Sequence, residues 1–284
     1  MVSMSERRAK FRELHRSGCF VIPNPWDVGT ARYLQHMGFS ALATTSGGFA
    51  FSRGLPDGAV GRATMLAHIR EIVEATDLPV SADFHAGYGS DPDEVADSVR
   101  LCVETGVAGL SIEDSTGDPD RPLLDLDNAA ERVSAARRAI DETGQDVVLT
   151  GRAENFFVGR PDLDDTLARL RAYSAAGADC LYAPGIRTRE QITAVVEAVA
   201  PKPVNVVVGG GAVTVDEYAA LGVRRISVGG TLALAAWEAV HQAVSRLAGD
   251  GRFDGFPSAR PSVDLNGLFR SLDGRQPSRS RPER

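Results

Sequence analysis

The sequence lacks any long uninterrupted apolar run. No run approaches the roughly 20 apolar residues that a membrane-spanning helix needs. The N-terminal stretch "MVSMSERRAKFRELH" is charged and has no apolar region of the kind found in signal peptides. We therefore expect a cytoplasmic protein that has no membrane partner.

The chain also lacks an excess of basic residues and contains few cysteines. Its 284 residues carry a formal net charge of −7, whereas a nucleic-acid partner usually requires a basic face. The three cysteines, Cys19, Cys102 and Cys180, lie in apolar runs without metal-ligand spacing. We expect no nucleic-acid partner and three buried, reduced thiols.

Short apolar segments alternate with longer helical patterns along most of the chain. We count eight such strand–helix units, and the strand segments are almost continuously apolar, as in a parallel sheet covered on both faces. Eight units in a chain of this length predict an α/β fold of the (β/α)₈ TIM barrel type. A doubly wound sheet is the alternative, which is weakened because no GxGxxG motif follows the first strand. The predicted strand segments are 19–26, 41–47, 79–84, 109–114, 146–152, 180–184, 203–210 and 224–230.

The composition changes near the C-terminus. We predict a single barrel domain over residues 1–251 and a helical C-terminal extension over residues 252–272. The remaining stretch, 273–284, is polar and rich in Pro, Ser and Arg, which predicts a disordered tail.

Acidic residues follow several predicted strands at the edge where barrel enzymes place functional groups. Asp83 and His85 lie two residues apart in "SADFHAGYG", so their side chains point to the same side of the strand. Asp83 would form an acidic cluster with Asp57, Glu113 and Asp114, and carboxylates this close repel unless a cation or proton intervenes. A hard divalent cation explains the cluster best, and we predict Mg²⁺, with Mn²⁺ as the alternative.

Other predicted strand ends carry groups suited to an anion. Arg152 follows the fifth strand, where it would face an anion held by the metal. The stretch "TTSGG" (44–48) is interpreted as a tight turn whose backbone N–H groups bind an oxyanion.

Each of these residues also has a structural interpretation. Asp57 in "PDG" is typical of a turn, and Asp27 and Asp114 could cap helices. Arg152 could form an ion pair in the barrel lumen with Glu154 or Glu113.

Taken in order, a set of motifs resembles the isocitrate lyase/phosphoenolpyruvate mutase superfamily over nearly the whole barrel. Members cleave or form C–C or P–C bonds next to a 2-oxo acid with Mg²⁺, and their modified barrels often exchange the last helix between subunits. The resemblance implies a small 2-oxo acid or phosphonate substrate and a homodimer or homotetramer with helix exchange. The motifs are "NPWD" (24–27), "TTSGG" (44–48), "GLPDG" (54–58), "ADFHAGYG" (82–89), "SIED" (111–114), "GRAENF" (151–156), "KPVNV" (202–206) and "LGVRRISVGG" (221–230).

The resemblance also implies roles for individual residues. Asp83 resembles the direct metal ligand, and Asp57 and Glu113 resemble acids that hold metal-bound waters. Arg152 resembles the arginine that contacts the enolate or carboxylate oxygen. The substrate-binding residues implied in this way are Trp26, Ser46, Gly47, Gly48, Arg152, Glu154 and Asn205.

Departures from the family pattern narrow the reaction. His85 stands where the family has a second acid, which removes a negative charge near the metal. Residues 114–125, "DSTGDPDRPLLD", lack the Cys, Lys and His of the isocitrate lyase branch, and only Ser115 and Thr116 match the polar gating loop of the mutases. The glutamate that the isocitrate lyase branch uses after strand 6 is also absent. The chain is therefore closest to a mutase or oxaloacetate decarboxylase-like branch.

These observations predict a Mg²⁺-dependent lyase that cleaves a C–C bond next to a 2-oxo acid through a stabilised enolate. Loss of CO₂ from an oxaloacetate-like substrate needs no general base. The catalytic residues would be Arg152 with His85 or Tyr182 as proton donor. The alternatives are a P–C mutase or hydrolase of the phosphonopyruvate or carboxyphosphonoenolpyruvate type, and a barrel that binds a 2-oxo acid without turnover.

Overall fold

Eight parallel strands form a nearly closed barrel with helices between them, which confirms the predicted (β/α)₈ TIM barrel. The structure is a computed structural model that describes residues 2–256 and 263–273. The strands are β1 (Phe20–Ile22), β2 (Leu42–Ala43), β3 (Val80–Asp83), β4 (Gly109–Glu113), β5 (Val148–Arg152), β6 (Cys180–Tyr182), β7 (Val204–Val207) and β8 (Arg225–Ser227).

Eleven helices are found in the described ranges, and side-chain caps fix where several of them begin. Asp27, for example, accepts a hydrogen bond from the backbone N–H of Thr30 at 2.7 Å, which confirms its predicted capping role. The helices are α1 (Met4–Leu14), α2 (Val28–His36), α3 (Ser46–Ser52), α4 (Arg62–Ala75), α5 (Pro92–Glu104), α6 (Leu126–Glu142), α7 (Leu163–Ala175), α8 (Arg189–Val199), α9 (Val215–Ala220), α10 (Thr231–Asp250) and α11 (Leu265–Asp273).

Strand register brings the polar strand ends together. Asp83 of β3 is in register with Ser111 of β4, and Glu113 of β4 is in register with Arg152 of β5. Arg152 is in turn in register with Tyr182 of β6. Side chains at matched positions of neighbouring strands lie on the same face, so Glu113, Arg152 and Tyr182 form a row at one end of the barrel.

The barrel has a seam between β1 and β2, which are not joined by a ladder in the described sheet. Asn24 closes this seam with its side chain. Its Nδ2 donates to the carbonyl of Thr44 at 2.9 Å, and its Oδ1 accepts from the backbone N–H groups of Val228 and Gly229 at 3.0 and 2.9 Å. The ends of β2 and β8 are therefore linked through one buried amide.

Internal contacts divide the chain into Met1–Leu234 and Ala235–Arg284. The second unit includes most of α10 and all of α11, and α11 confirms the predicted helical extension. Asp273, the first residue of the predicted tail, ends α11, and residues 274–284 lie outside the described ranges.

Two of the three cysteines agree with the sequence-based expectation. Cys102 and Cys180 are buried free thiols, whereas Cys19 is partly exposed and so departs from the prediction. Within the described residues, none of the helices combines the length and apolarity that crossing a bilayer requires.

Candidate active site

Asp83 ends β3 and is the centre of the polar cluster. Its Oδ2 accepts hydrogen bonds from the backbone N–H and the hydroxyl of Ser46, at 2.9 and 2.8 Å. Its Oδ1 lies 2.7 Å from Nη1 of Arg152. Burial would raise the pKa of Asp83, but the charges of Arg152 and His85 and the bonds from Ser46 hold that pKa below its usual range. The side chain is therefore an anion that connects the ends of β3, α3 and β5.

Arg152 joins three carboxylates. Besides Asp83, its Nη1 lies 3.1 Å from Oε2 of Glu113, and its Nε donates to Oε1 of Glu154 at 2.9 Å. Its guanidinium carbon lies 5.1 Å from the centre of the Tyr182 ring. Burial opposes the charge of Arg152, but Glu113, Glu154 and Asp83 raise its pKa. Arg152 therefore lies in the polar cluster and also forms the ion pairs with Glu113 and Glu154 that its structural interpretation predicted.

Glu154 is the most deeply buried of these carboxylates, with 1% of its surface exposed. Burial raises its pKa, and the neighbouring Glu113 adds to that effect, whereas Arg152 opposes it. The Glu154 proton is therefore held more tightly than that of an ordinary glutamate.

His85 lies between Asp57 and Glu113. Its Nε2 is 3.9 Å from Oδ1 of Asp57, and its Nδ1 is 3.8 Å from Oε1 of Glu113. Burial would lower the pKa of His85, but the carboxylates of Glu113, Asp83 and Asp57 together raise it to about 9. The raised pKa favours the protonated ring, whose positive charge would offset part of the acidic cluster.

The backbone of His85 is unusual. It has a φ of +50°, and so lies in the left-handed region that few side chains adopt. Its Nε2 is a buried polar atom without a hydrogen-bond partner in the described structure. The side chain thus lies near two carboxylates, while its Nε2 has no hydrogen-bond partner among the described residues.

The "TTSGG" stretch is not the tight turn expected from its glycines. Thr45 caps α3, and Ser46, Gly47 and Gly48 form the first turn of that helix. The backbone N–H of Gly48 donates to the Thr45 hydroxyl at 3.2 Å, so part of the predicted anion nest is already paired. The turn prediction was wrong because a side-chain cap and packing outweigh the low helix propensity of glycine.

Close packing explains both glycines of this helix. A Cβ on Gly47 would lie 2.9 Å from Oδ2 of Asp57, and one on Gly48 would lie 3.1 Å from Cβ of Trp26. Asp57 and Trp26 are therefore neighbours of the α3 N-terminus, as the predicted site requires.

Asp114 does not join the cluster, although the sequence suggested that it would. Its Oδ1 accepts from the backbone N–H of Glu154 at 2.8 Å, and its Oδ2 accepts from Tyr173 and Arg169 at 2.5 and 3.0 Å. Successive side chains on a strand point to opposite faces, so Glu113 faces the cluster and Asp114 faces the helices.

Asn205 and Tyr182 lie deeper among the barrel strands. The Asn205 amide donates to Oγ of Ser227 at 3.0 Å and accepts from Nε of Arg225 at 2.8 Å, so both ends of the amide are used inside the barrel. Tyr182 is buried, and burial raises the pKa of its phenol. Of these two residues, only Tyr182 lies against the Arg152 guanidinium.

The predicted Mg²⁺ would have to bind among these contacts. In the part of the chain that the structure describes, no three His, Cys, Asp or Glu side chains converge as direct ligands. Mg²⁺, however, is often bound through one or two carboxylates and keeps several waters. Each oxygen of Asp83 has two acceptor directions, and Oδ1 has a single close contact, with Arg152. The residues therefore fit a hydrated ion on Asp83, but not a cage of three carboxylates.

Sequence reasoning missed Arg132, which fixes the loop that follows β3. From α6, its Nη1 donates to the carbonyl of Gly89 at 2.8 Å and its Nη2 to that of Ser90 at 2.5 Å. Nε donates to Oδ1 of Asn128 at 2.9 Å. No sequence signal distinguishes this buried arginine from Arg138, an exposed arginine of the same helix.

Comparison with known proteins places the chain among related enzymes. The family model for phosphoenolpyruvate phosphomutase matches residues 11–248. A Burkholderia cenocepacia J2315 structure described as a candidate lyase/mutase is 50% identical, with a TM-score of 0.90, and the match covers 94% of this chain and 97% of that one.

Two further relatives carry named activities. The oxaloacetate decarboxylase of Paraburkholderia xenovorans (strain LB400) is 29% identical over 85% of this chain and 78% of its own length. A structure of oxaloacetate acetylhydrolase in complex with the product oxalate is 28% identical, with a TM-score of 0.83, and the match covers 96% of this chain and 97% of that one.

Proposed function

The chain belongs to the phosphoenolpyruvate phosphomutase family, and on that basis we propose that it is a carbon–carbon lyase acting on a small 2-oxo acid of the oxaloacetate type. Two of its relatives are named for reactions of oxaloacetate. The observation that carries the proposal is the position of Arg152. Its guanidinium is largely buried, with 14% of the side chain exposed, and lies at the end of β5 in contact with Asp83, Glu113 and Glu154.

The proposed cofactor is Mg²⁺, or Mn²⁺ in its place. Asp83 would hold it directly, and Asp57 and Glu113 would hold its waters. When bound, the ion supplies a Lewis acid for the keto and carboxylate oxygens of a 2-oxo acid.

The residues of the chain then bind and orient the substrate. The start of α3, with Ser46, Gly47 and Gly48, would receive a carboxylate, and Trp26 would form the adjoining wall. Arg152 would stabilise the oxygen on which negative charge develops when the bond to C3 breaks. Glu154 would keep the Arg152 guanidinium in its orientation, and Asn205 would contact the distal part of the substrate.

Protonation of the resulting enolate requires a donor. His85 and Tyr182 both carry a proton at neutral pH and lie on opposite sides of the Glu113–Arg152 pair along the row of strands. We assign the donor to one of these two. When the leaving group is CO₂, no general base is needed to begin the reaction.

A P–C mutase or hydrolase is the second candidate, and the matching family model favours it. Its polar gating loop is poorly matched here, since the Thr116 hydroxyl donates to the carbonyl of Arg121 at 2.6 Å within the loop itself. This internal bond makes Thr116 less available to a phosphonate.

We also propose that the chain assembles as a homodimer or homotetramer by exchange of its last barrel helix. On α10, Trp237, Val240 and Val244 recur at helical spacing and are 49%, 49% and 45% exposed. A second copy would cover this apolar stripe. Light scattering on the wild type and on Trp237→Glu tests this assembly, and a monomeric wild type contradicts it.

The first experiment is pyruvate release from oxaloacetate with Mg²⁺, with EDTA, and with Asp83→Ala. We expect metal-dependent release that the substitution abolishes, while Asp97→Ala, an exposed aspartate on α5, serves as the matched control. Release no faster than the spontaneous rate excludes oxaloacetate as the substrate. Phosphonopyruvate is then tested for P–C cleavage, and a second blank favours a barrel that binds a 2-oxo acid without turnover.

A further inference from the structure

A groove separate from the Asp83–Arg152 cluster opens at the same end of the barrel. It has a volume of about 520 Å³ and lies between the loop after β4 and the loop after β5. Residues 121–125 form one wall, residues 160–165 form the other, and Asn155 lies between them. None of the residues assigned above to metal or substrate lines it. The volume is within the range of small-molecule sites.

Asn155 is the buried polar group of this groove. It is 1% exposed, and its Nδ2 donates to Oδ2 of Asp165 at 2.6 Å. Asp165 is itself fixed by Nε of Arg169 at 2.7 Å. This orientation leaves Oδ1 of Asn155 buried without a hydrogen-bond partner in the described structure. An unpaired buried acceptor is unfavourable, so a donor that reaches Oδ1 would stabilise the site.

Two arginines line the same groove. Arg121 and Arg160 are exposed, and in the described ranges neither side chain has a hydrogen bond or an ion pair. The N-terminus of α6 lies in the same wall, where Asp125 makes no side-chain cap. The groove therefore combines two cations and an uncapped helix start, which favour an anion.

The acidic residues of the groove differ in whether their carboxylates are already hydrogen-bonded. Asp162 accepts from the backbone N–H of Asp165 at 3.0 Å, and Asp165 is already paired with Asn155 and Arg169. Asp125, by contrast, has a carboxylate without a partner among the described residues. It would favour a positively charged donor close to the anion.

We propose that this groove binds a small carboxylate that also carries a hydroxyl or ammonium group. Its carboxylate would pair with Arg121 and Arg160, and its hydroxyl or ammonium group would donate to Oδ1 of Asn155. An ammonium would gain a further contact with Asp125. The proposal goes beyond the lyase function and does not depend on it.

The test is calorimetric titration of the full chain with malate, aspartate and succinate, which share two carboxylates but differ in the donor group. Malate or aspartate should bind at least about tenfold more tightly than succinate, because succinate leaves Asn155 unpaired. Aspartate tighter than malate assigns the ammonium form, and the reverse assigns the hydroxyl form. If succinate binds with the same affinity as malate and aspartate, the proposal is overturned.

Variants locate the binding. The double variant Arg121→Gln, Arg160→Gln should weaken binding at least about tenfold, whereas Arg187→Gln, an exposed arginine after β6, should not. Asn155→Ala should remove the preference over succinate, an effect that a loss of packing alone would not produce.

Unchanged affinity in the double variant overturns the proposal, since any ligand would then be held elsewhere. Binding is measured without turnover, so a negative result here leaves the oxaloacetate experiment intact. A negative result with oxaloacetate likewise has no bearing on binding in this groove.

Discussion

Arg152 and Asp83 form the closest ion pair of the polar cluster, with Nη1 of the arginine 2.7 Å from Oδ1 of the aspartate. The two residues end β5 and β3, with β4 between them. This pair therefore ties together three strands and, through Ser46, the start of α3. A change at either residue affects charge balance and position at once.

Substitution of Arg152 by Lys should lower kcat/KM for an accepted substrate by about 10²- to 10³-fold, because one ammonium cannot contact Asp83, Glu113 and Glu154 in the same geometry. Steady-state kinetics measure this, and Arg187→Lys is the matched control. Activity within about twofold of wild type would contradict a role for the guanidinium at the reacting oxygen.

Added Mg²⁺ should raise the thermal midpoint of the wild type and not that of Asp83→Asn. A ligand at 100 times its Kd adds about 2.7 kcal/mol to the free energy of unfolding. Calorimetry with Mg²⁺ and with EDTA measures the shift, and Asp97→Asn should behave as the wild type does. An equal shift in Asp83→Asn would place the ion at another site.

His15 should make the free energy of unfolding depend on pH. Burial, together with the charge of Arg225, lowers the pKa of His15 to about 3, against about 6.5 in an unfolded chain. The native state therefore favours the neutral ring, and its stabilising effect is complete above pH 6.5 and is lost as the pH falls toward 3.

The corresponding variant is His15→Gln. Between pH 6 and 4 its free energy of unfolding should fall less steeply than that of the wild type, by about 1.4 kcal/mol per pH unit. Urea denaturation at several pH values measures both slopes, with the exposed His36→Gln as control. Parallel slopes for His15→Gln and the wild type would show that His15 is not buried as a neutral ring.

Removal of the Arg132 guanidinium should loosen the loop that follows Asp83. Arg132→Met keeps most of the side-chain stem but loses the bonds to Gly89 and Ser90, at about 1.5–3 kcal/mol for a hydrogen bond from a charged group. We expect lower stability in urea and faster amide exchange in residues 85–90. Arg138→Met, on the same helix but exposed, should change neither, and protection of the loop in Arg132→Met would contradict its anchoring role.

Strand periodicity was only a partial guide to the polar cluster. It predicted that the side chains of Asp83 and His85 share a side, and both lie in the cluster, but β3 ends at Asp83 and His85 has a left-handed φ of +50°, so alternation does not account for the position of His85. The same alternation excludes Asp114 from the cluster, because it immediately follows Glu113 on the strand. The predicted cluster was therefore too large by one acid, because neighbouring residues at a strand end point to opposite faces.

Other features depend on contacts between residues far apart in the sequence, so no local sequence pattern predicted them. The glycines at positions 47 and 48 favoured a turn, but contacts with Asp57 and Trp26 explain their presence in a helix. The groove at Asn155 arises where two loops from different strands meet, which no motif in either loop indicates. Burial of Arg132 likewise depends on a loop more than forty residues away.

Because β1 pairs with β8, it is synthesised long before its ladder partner exists. Phe20 of β1 pairs with Arg225 of β8, whereas each of β3 to β8 emerges next to a strand that has already been made. Nascent β1 therefore has no ladder partner until nearly the whole barrel has been synthesised. A circularly permuted gene that places β1 directly after β8 would make all seven strand pairs sequential, and its product should close its barrel sooner because the longest loop closure is removed.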